Sequence, residues 1–125
     1  MESLMGRKRN NKPFTFHVEM RPIVKGRPRL GRKGKVYTPE RTLIAEAKIA
    51  DAYKEANGPF YEGPVQVEAV FKSKGIDVTI TPLDETHTSP LRGDTDNYLK
   101  LLCDALNEVA YLDDKRVMII RGEKQ

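Results

Sequence analysis

The sequence predicts an α+β domain, a mixed sheet with two helices packed on it, in the order β-α-β-β-α-β. Three observations lead there. Phe14–Met20, Val65–Phe71 and Ile76–Ile80 alternate apolar and polar residues with the period of a strand. Two other stretches, Ala45–Ala56 and Tyr98–Val109, repeat apolar residues at helical spacing. Connections bearing Gly and Pro separate these runs, and nothing repeats internally, so strands and helices belong to one core.

Residues 1–12 are polar and basic without periodicity and read as a flexible tail, leaving 13–125 as the domain. Phe14, Phe16, Val18 and Met20 alternate with Thr15, His17, Glu19 and Arg21, a half-buried strand that Arg21-Pro22 ends. A Gly/Pro/basic loop or irregular hairpin follows to about Val36. Thr38-Pro39-Glu40 is a helix start, with a hydroxyl at the N-cap, proline at the first helical position and an acid in the first turn. Ala45, Ile49, Ala52, Tyr53 and Ala56 form that helix's apolar stripe, and Asn57-Gly58-Pro59 stops it. Val65, Val67, Ala69 and Phe71 make a second strand, turning near Gly75 into a third with Ile76, Val78 and Ile80. Pro82 to Gly93 is a polar loop, and a second helix covers about Thr95 to Val109, with Tyr98, Leu101, Leu102, Ala105, Leu106 and Val109 on one face. A last strand is expected from Arg116 to Arg121 around Val117, Met118, Ile119 and Ile120.

The 125 residues are 38% hydrophobic and 32% charged, against about 25% charged in an average domain. No window approaches the ~18 apolar residues of a membrane span, and no apolar stretch follows the first residues as in a signal peptide. One cysteine excludes an internal disulfide framework and a cysteine-based zinc site, and suits a reducing cytoplasm. The net charge of +4 is unevenly placed: residues 1–36 hold eleven bases and two acids, a net of +9, and the remainder is net −5. Lys25, Arg27, Arg29, Arg32, Lys33 and Lys35 alternate with Gly26, Pro28, Gly31 and Gly34. Clustered bases on a backbone that can approach a phosphate chain point to nucleic acid, since phosphate neutralisation releases counterions.

Arg92-Gly93-Asp94-Thr95-Asp96-Asn97-Tyr98-Leu99-Lys100 opens the second helix. Asp94 and Asp96 lie where the helix dipole favours negative charge. Asp96 and Lys100 share a face away from the apolar stripe. Each has an ordinary explanation, Asp94 as an N-cap and Asp96–Lys100 as an i,i+4 ion pair. Asp113-Asp114 supply further acids after the helix, but a helix of about 15 residues spans roughly 22 Å, so spacing alone does not join them to Asp94. Either the last strand runs back beside the helix, or the preceding loop carries Asp94 and Asp96 toward Asp114. If the three carboxylates meet, oxygen donors without His or Cys select Mg²⁺ over Zn²⁺. That ion beside a polyanion-binding loop suits phosphodiester hydrolysis, with a lysine to stabilise the phosphorane or leaving oxygen.

Asp94-Thr95-Asp96-Asn97-Tyr98-Leu99-Lys100, then Asp104-Ala105-Leu106-Asn107, then Leu112-Asp113-Asp114 and an apolar run resemble the signature of the RusA family of Holliday-junction resolvases. Gly26-Arg27-Pro28-Arg29, Tyr37-Thr38-Pro39 and Gly63-Pro64-Val65 resemble its phage and prophage members, and the similarity extends from about Phe14 to Arg121. The resemblance implies a small homodimeric, Mg²⁺-dependent endonuclease of the cytoplasm of a bacterial or phage-infected cell. Its substrate would be branched double-stranded DNA, the four-way junction, nicked symmetrically on two strands. It implies that the acids come together, with Asp94, Asp96 and Asp114 as metal-binding and catalytic residues and Lys100 as the catalytic lysine. Asn97, Asp104 and Asp113 take support roles, and Lys25, Arg27, Arg29, Arg32, Lys33, Lys35 and Arg92 contact DNA. Family members usually continue into another strand past the position of Gln125. In the stretch from Ile76 to Gly93 this sequence has Asp77, Asp84, Glu85 and His87 where the family is strongly basic. Two rival readings are a catalytically silent junction-binding protein on the same scaffold and a nuclease for other branched DNA. His87, His17 and Cys103 read as bystanders, and Tyr37, Tyr61 and Tyr111 as core or interface residues.

Overall fold

The computed structural model describes residues 12–26, 29–30, 36–37 and 39–125. They form β1 (Phe14–Val18), β2 (Arg29–Leu30), β3 (Val36–Tyr37), α1 (Glu40–Glu55), β4 (Val65–Lys72), β5 (Gly75–Pro82) and α2 (Thr95–Leu106), followed by a 3-10 turn at Asp114–Arg116. The chain divides at Asp84 into two compact units, the second being Glu85–Gln125. No helix among the described residues is long and apolar enough to cross a membrane.

In the first unit the sheet order is β1-β5-β4. The α+β class stands, but the sheet is antiparallel throughout rather than mixed. The turn at Ser73-Lys74 joins β4 directly to β5, and so short a connection permits only antiparallel pairing. Phe14 pairs with Ile80, Phe16 with Val78 and Val18 with Ile76, so these six side chains share one face. Helix α1 lies on that face, its Tyr53 ring edge-on to Phe14 at 5.5 Å and to Phe16 at 5.1 Å. Phe16, Val18 and Ile76 are buried, and Met20, Ile49, Ala52 and Val78 are among the half-buried side chains around them. Helix α1 begins one residue later than the sequence suggests, with Pro39 at the cap position, its carbonyl accepting from Thr42 N at 3.0 Å; Thr38 lies outside the described residues. Asn57 stops the helix at φ 59°. The expected basic hairpin is visible only as β2 against β3, Arg29 opposite Tyr37 and Leu30 opposite Val36.

The opposite face is polar. His17 Nδ1 and Lys72 Nζ each lie 2.7 Å from an Asp77 carboxylate oxygen. The hydrogen bond from Lys72, then that from His17, holds the Asp77 carboxyl below its ordinary 3.8. A depressed carboxyl stabilises the fold above its unfolded value, and the contribution disappears as pH falls through the folded value. The gap in melting temperature between wild type and Asp77→Asn is therefore expected to persist down to about pH 4 and to narrow progressively below it. A gap that stays constant would mean that the Asp77 charge contributes nothing.

In the second unit α2 ends at Leu106 rather than Val109. Glu108 turns into the left-handed region at φ 64°, and the N–H groups of Val109 and Ala110 both donate back to the Leu106 carbonyl, at 3.0 and 2.9 Å. The expected strand at Arg116–Arg121 does not form: Val117 to Gln125 has no regular secondary structure. Met118 is 82% and Ile119 74% exposed. Apolar, β-prone residues become a strand only against a partner, and this segment pairs with none among the described residues.

Candidate active site

Asp94 occupies the cap position of α2 in extended conformation, φ −72° and ψ 143°, yet its side chain makes no capping hydrogen bond. Only its carbonyl takes part, accepting from Asn97 N at 3.0 Å and Tyr98 N at 3.3 Å. Asp96 in the first turn and Lys100 one turn later are both exposed. They form no ion pair with each other; the ion pairs among the described residues lie elsewhere. Neither ordinary explanation for these charges is therefore in use. The positive end of the helix dipole favours both carboxylates. Gly93 fixes the approach to them: its N–H donates to the Tyr98 hydroxyl at 3.1 Å, and a Cβ there would stand 2.9 Å from that hydroxyl. Only glycine allows the loop this close to Tyr98.

Asp113 and Asp114 have different surroundings. Asp113 caps the 3-10 turn, accepting from Lys115 N at 3.0 Å. Asp114 begins that turn and lies beside Tyr111. The Tyr111 hydroxyl donates to the Cys103 carbonyl at 3.3 Å. Desolvation first, then Cys103 and the Asp114 carboxylate, push its phenol up to about 12. Asp114 is thus associated with the third turn of α2, and Cys103 is seven residues past Asp96, roughly 10 Å along the axis. Asn107, which closes α2, has its side-chain oxygen buried without a partner. Asn97 and Asp104, also on α2, are both exposed.

No group of three or more His, Cys, Asp or Glu side chains among the described residues comes together in a way that could hold a metal ion. Asp94 and Asp96, two residues apart at the start of α2, are both exposed. Mg²⁺ is commonly held by one or two carboxylates with waters and substrate phosphates filling the rest of its octahedron. The donor chemistry of the pair fits that ion, whereas Asp114 is not brought to it.

Of the residues expected to contact DNA, Lys25 is exposed and lies 3.5 Å from Glu46, and Arg29 sits on β2. Arg92 is exposed, two residues before Asp94. Arg27, Arg32, Lys33 and Lys35 lie outside the described residues. Tyr61 donates to the Lys12 carbonyl at 3.0 Å, and His87 lies 3.4 Å from Glu123. Sequence reasoning missed Lys124, whose ammonium donates to the Gly93 carbonyl at 3.0 Å. Its separation of 31 residues from Gly93 left no spacing to read.

A family model described as Endodeoxyribonuclease RusA matches residues 19–125. No curated protein and no solved structure matches the chain. The matched span contains α2 with its two uncommitted carboxylates, the Asp113-Asp114 turn and Lys124, and with nearly the whole chain covered, this protein belongs to the RusA endodeoxyribonuclease family.

Proposed function

We propose that the chain is a Mg²⁺-dependent, structure-selective endonuclease that resolves four-way DNA junctions as a homodimer, by paired symmetric nicks. One observation carries the reading: Asp94 and Asp96 sit exposed at the start of α2, and among the described residues neither carboxylate is consumed by a cap or an ion pair. Exposed like charges two residues apart repel one another, and such an arrangement makes sense where a cation is to be held. Bound there, Mg²⁺ would polarise the scissile phosphate and lower the pKa of a water. Asp94 and Asp96 would hold it, and Asp114 belongs to the set through the family signature rather than through its placement in one chain. Lys100, without a carboxylate partner among the described residues, stabilises negative charge developing on the phosphate or the leaving oxygen. Arg92 and the basic segment from Lys25 to Lys35 bind the phosphate chain. Two nicks on a roughly two-fold junction require two symmetric sites, which a C2 dimer supplies. Apolar residues of α2 such as Leu101, 70% exposed, favour a further partner surface. A cytoplasmic setting accords with a DNA substrate.

The test is nicking of an end-labelled mobile four-way junction, with linear duplex as control and Mg²⁺ against EDTA. Paired nicks near the crossover, absent with EDTA and on duplex, are expected. Tight junction binding without nicks under either condition would identify a silent binder, and equal cutting of flaps or three-way branches would remove the junction from its special place.

A further inference from the structure

Residues Gly122 to Gln125 follow the loop that leads into α2, and several contacts hold them there. The Lys124 ammonium donates to the Gly93 carbonyl at 3.0 Å, Ser89 Oγ donates to the main-chain oxygen of Gln125 at 2.9 Å, and His87 faces Glu123 at 3.4 Å. Gly122 approaches α2 so closely that a Cβ would fall 2.8 Å from the Leu99 side chain. The strap therefore has a defined course past the residue that precedes Asp94.

Lys124 is half-buried. One of its three N–H donors goes to Gly93, and no carboxylate lies within ion-pair distance of it among the described residues. Its two other N–H donors, with no counter-charge beside them among the described residues, are open to an arriving anion. The anion has a natural place, since Arg92 is in the same loop and the positive end of the α2 dipole lies just beyond. We propose that Lys124 is a substrate-binding residue of the nuclease, its two remaining N–H donors taking a DNA phosphate beside the Asp94–Asp96 pair. This rests on the reading of that pair as the reaction site.

The variants are Lys124→Met, Lys124→Gln and Lys124→Arg, with Lys74→Met in the exposed β4–β5 turn as control. Junction binding is measured in EDTA across a range of salt, alongside melting curves and Mg²⁺-dependent nicking. A charged hydrogen bond to phosphate is worth about tenfold in affinity, and each neutralised phosphate adds about 0.9 to the slope of log K against log salt. Lys124→Met and Lys124→Gln are expected to bind about tenfold more weakly, with the slope reduced by about 0.9, while Lys124→Arg and Lys74→Met stay near wild type. If Lys124→Met is poorly folded, Lys124→Gln, which can still donate to Gly93, decides alone. Wild-type affinity and slope in the folded variants overturn the proposal even if nicking falls, because Lys124 would then only tether Gly93. A wild type that binds junctions but never nicks defeats the nuclease reading instead, and leaves the phosphate contact to be judged by its slope.

Discussion

Asp96→Asn is expected to slow junction nicking by about a thousandfold or more, the equivalent of several kcal/mol of transition-state stabilisation at ~1.4 kcal/mol per tenfold. The substitution keeps the shape and removes the charge. Because Asp96 is exposed and neither caps α2 nor pairs with Lys100, the fold loses only its small interaction with the helix dipole, about 0.3–1 kcal/mol. Junction affinity in EDTA should hold or rise, since a negative charge facing phosphate has gone. Single-turnover nicking rates, affinity and melting temperature measured on one preparation separate these effects. Wild-type nicking by Asp96→Asn would place the chemistry elsewhere in the molecule. A loss of nicking that tracks a loss of melting temperature would make Asp96 a structural residue.

The same contrast between local and distant interactions explains what could be read from the sequence. Strands β1 and β5 were legible because one face of each meets the core, where Phe16, Val18 and Ile76 impose the period of two, and β4 keeps the same alternation although its residues are exposed. Helix α1 was legible from Ile49, Ala52 and Tyr53, and its stop from Asn57-Gly58, where a left-handed residue ends the hydrogen-bond ladder. Val117 to Ile120 has the same local preference as those strands but no partner among the described residues, and a strand is a pairing, not a composition. The end of α2 was misplaced for a related reason. Val109 continues the apolar period, yet Glu108 has already left the helix, and a periodicity count does not register one positive φ. At the candidate site, the sequence places Asp94 at the cap of α2, Asp96 in its first turn and Lys100 one turn later, because those positions follow from the helix start alone. The relation of Asp114 to them is not a matter of local geometry. Its association with Tyr111 and Cys103 depends on how the chain turns between Asn107 and Asp113, and Lys124 depends on a strap that follows no repeat.

Phe16→Ala should have the largest effect on stability, about 3–5 kcal/mol, against roughly 5–15 kcal/mol holding a typical domain together. Among the described residues only Phe16, Val18 and Ile76 are buried apolar side chains, so few core neighbours could repack into the space. Its ring also carries the junction between sheet and helix, lying 6.4 Å from Phe14 and 5.1 Å from Tyr53 of α1. Val67→Ala is the control: it lies on the same sheet face but is 64% exposed, and its loss should stay within about 0.5 kcal/mol. Denaturant titration of both variants reads the difference directly. The consequence for DNA follows from what α1 holds. Gly26 N donates to Thr42 Oγ1 at 2.9 Å, and Lys25 pairs with Glu46 at 3.5 Å, so the start of the basic segment is anchored on that helix. Loosening α1 should therefore weaken junction binding without touching Asp94 or Asp96, the reverse of the Asp96→Asn result. If Phe16→Ala instead keeps full affinity at a temperature where the first unit has melted, the basic segment binds DNA without its anchor, and α1 has no part in presenting it.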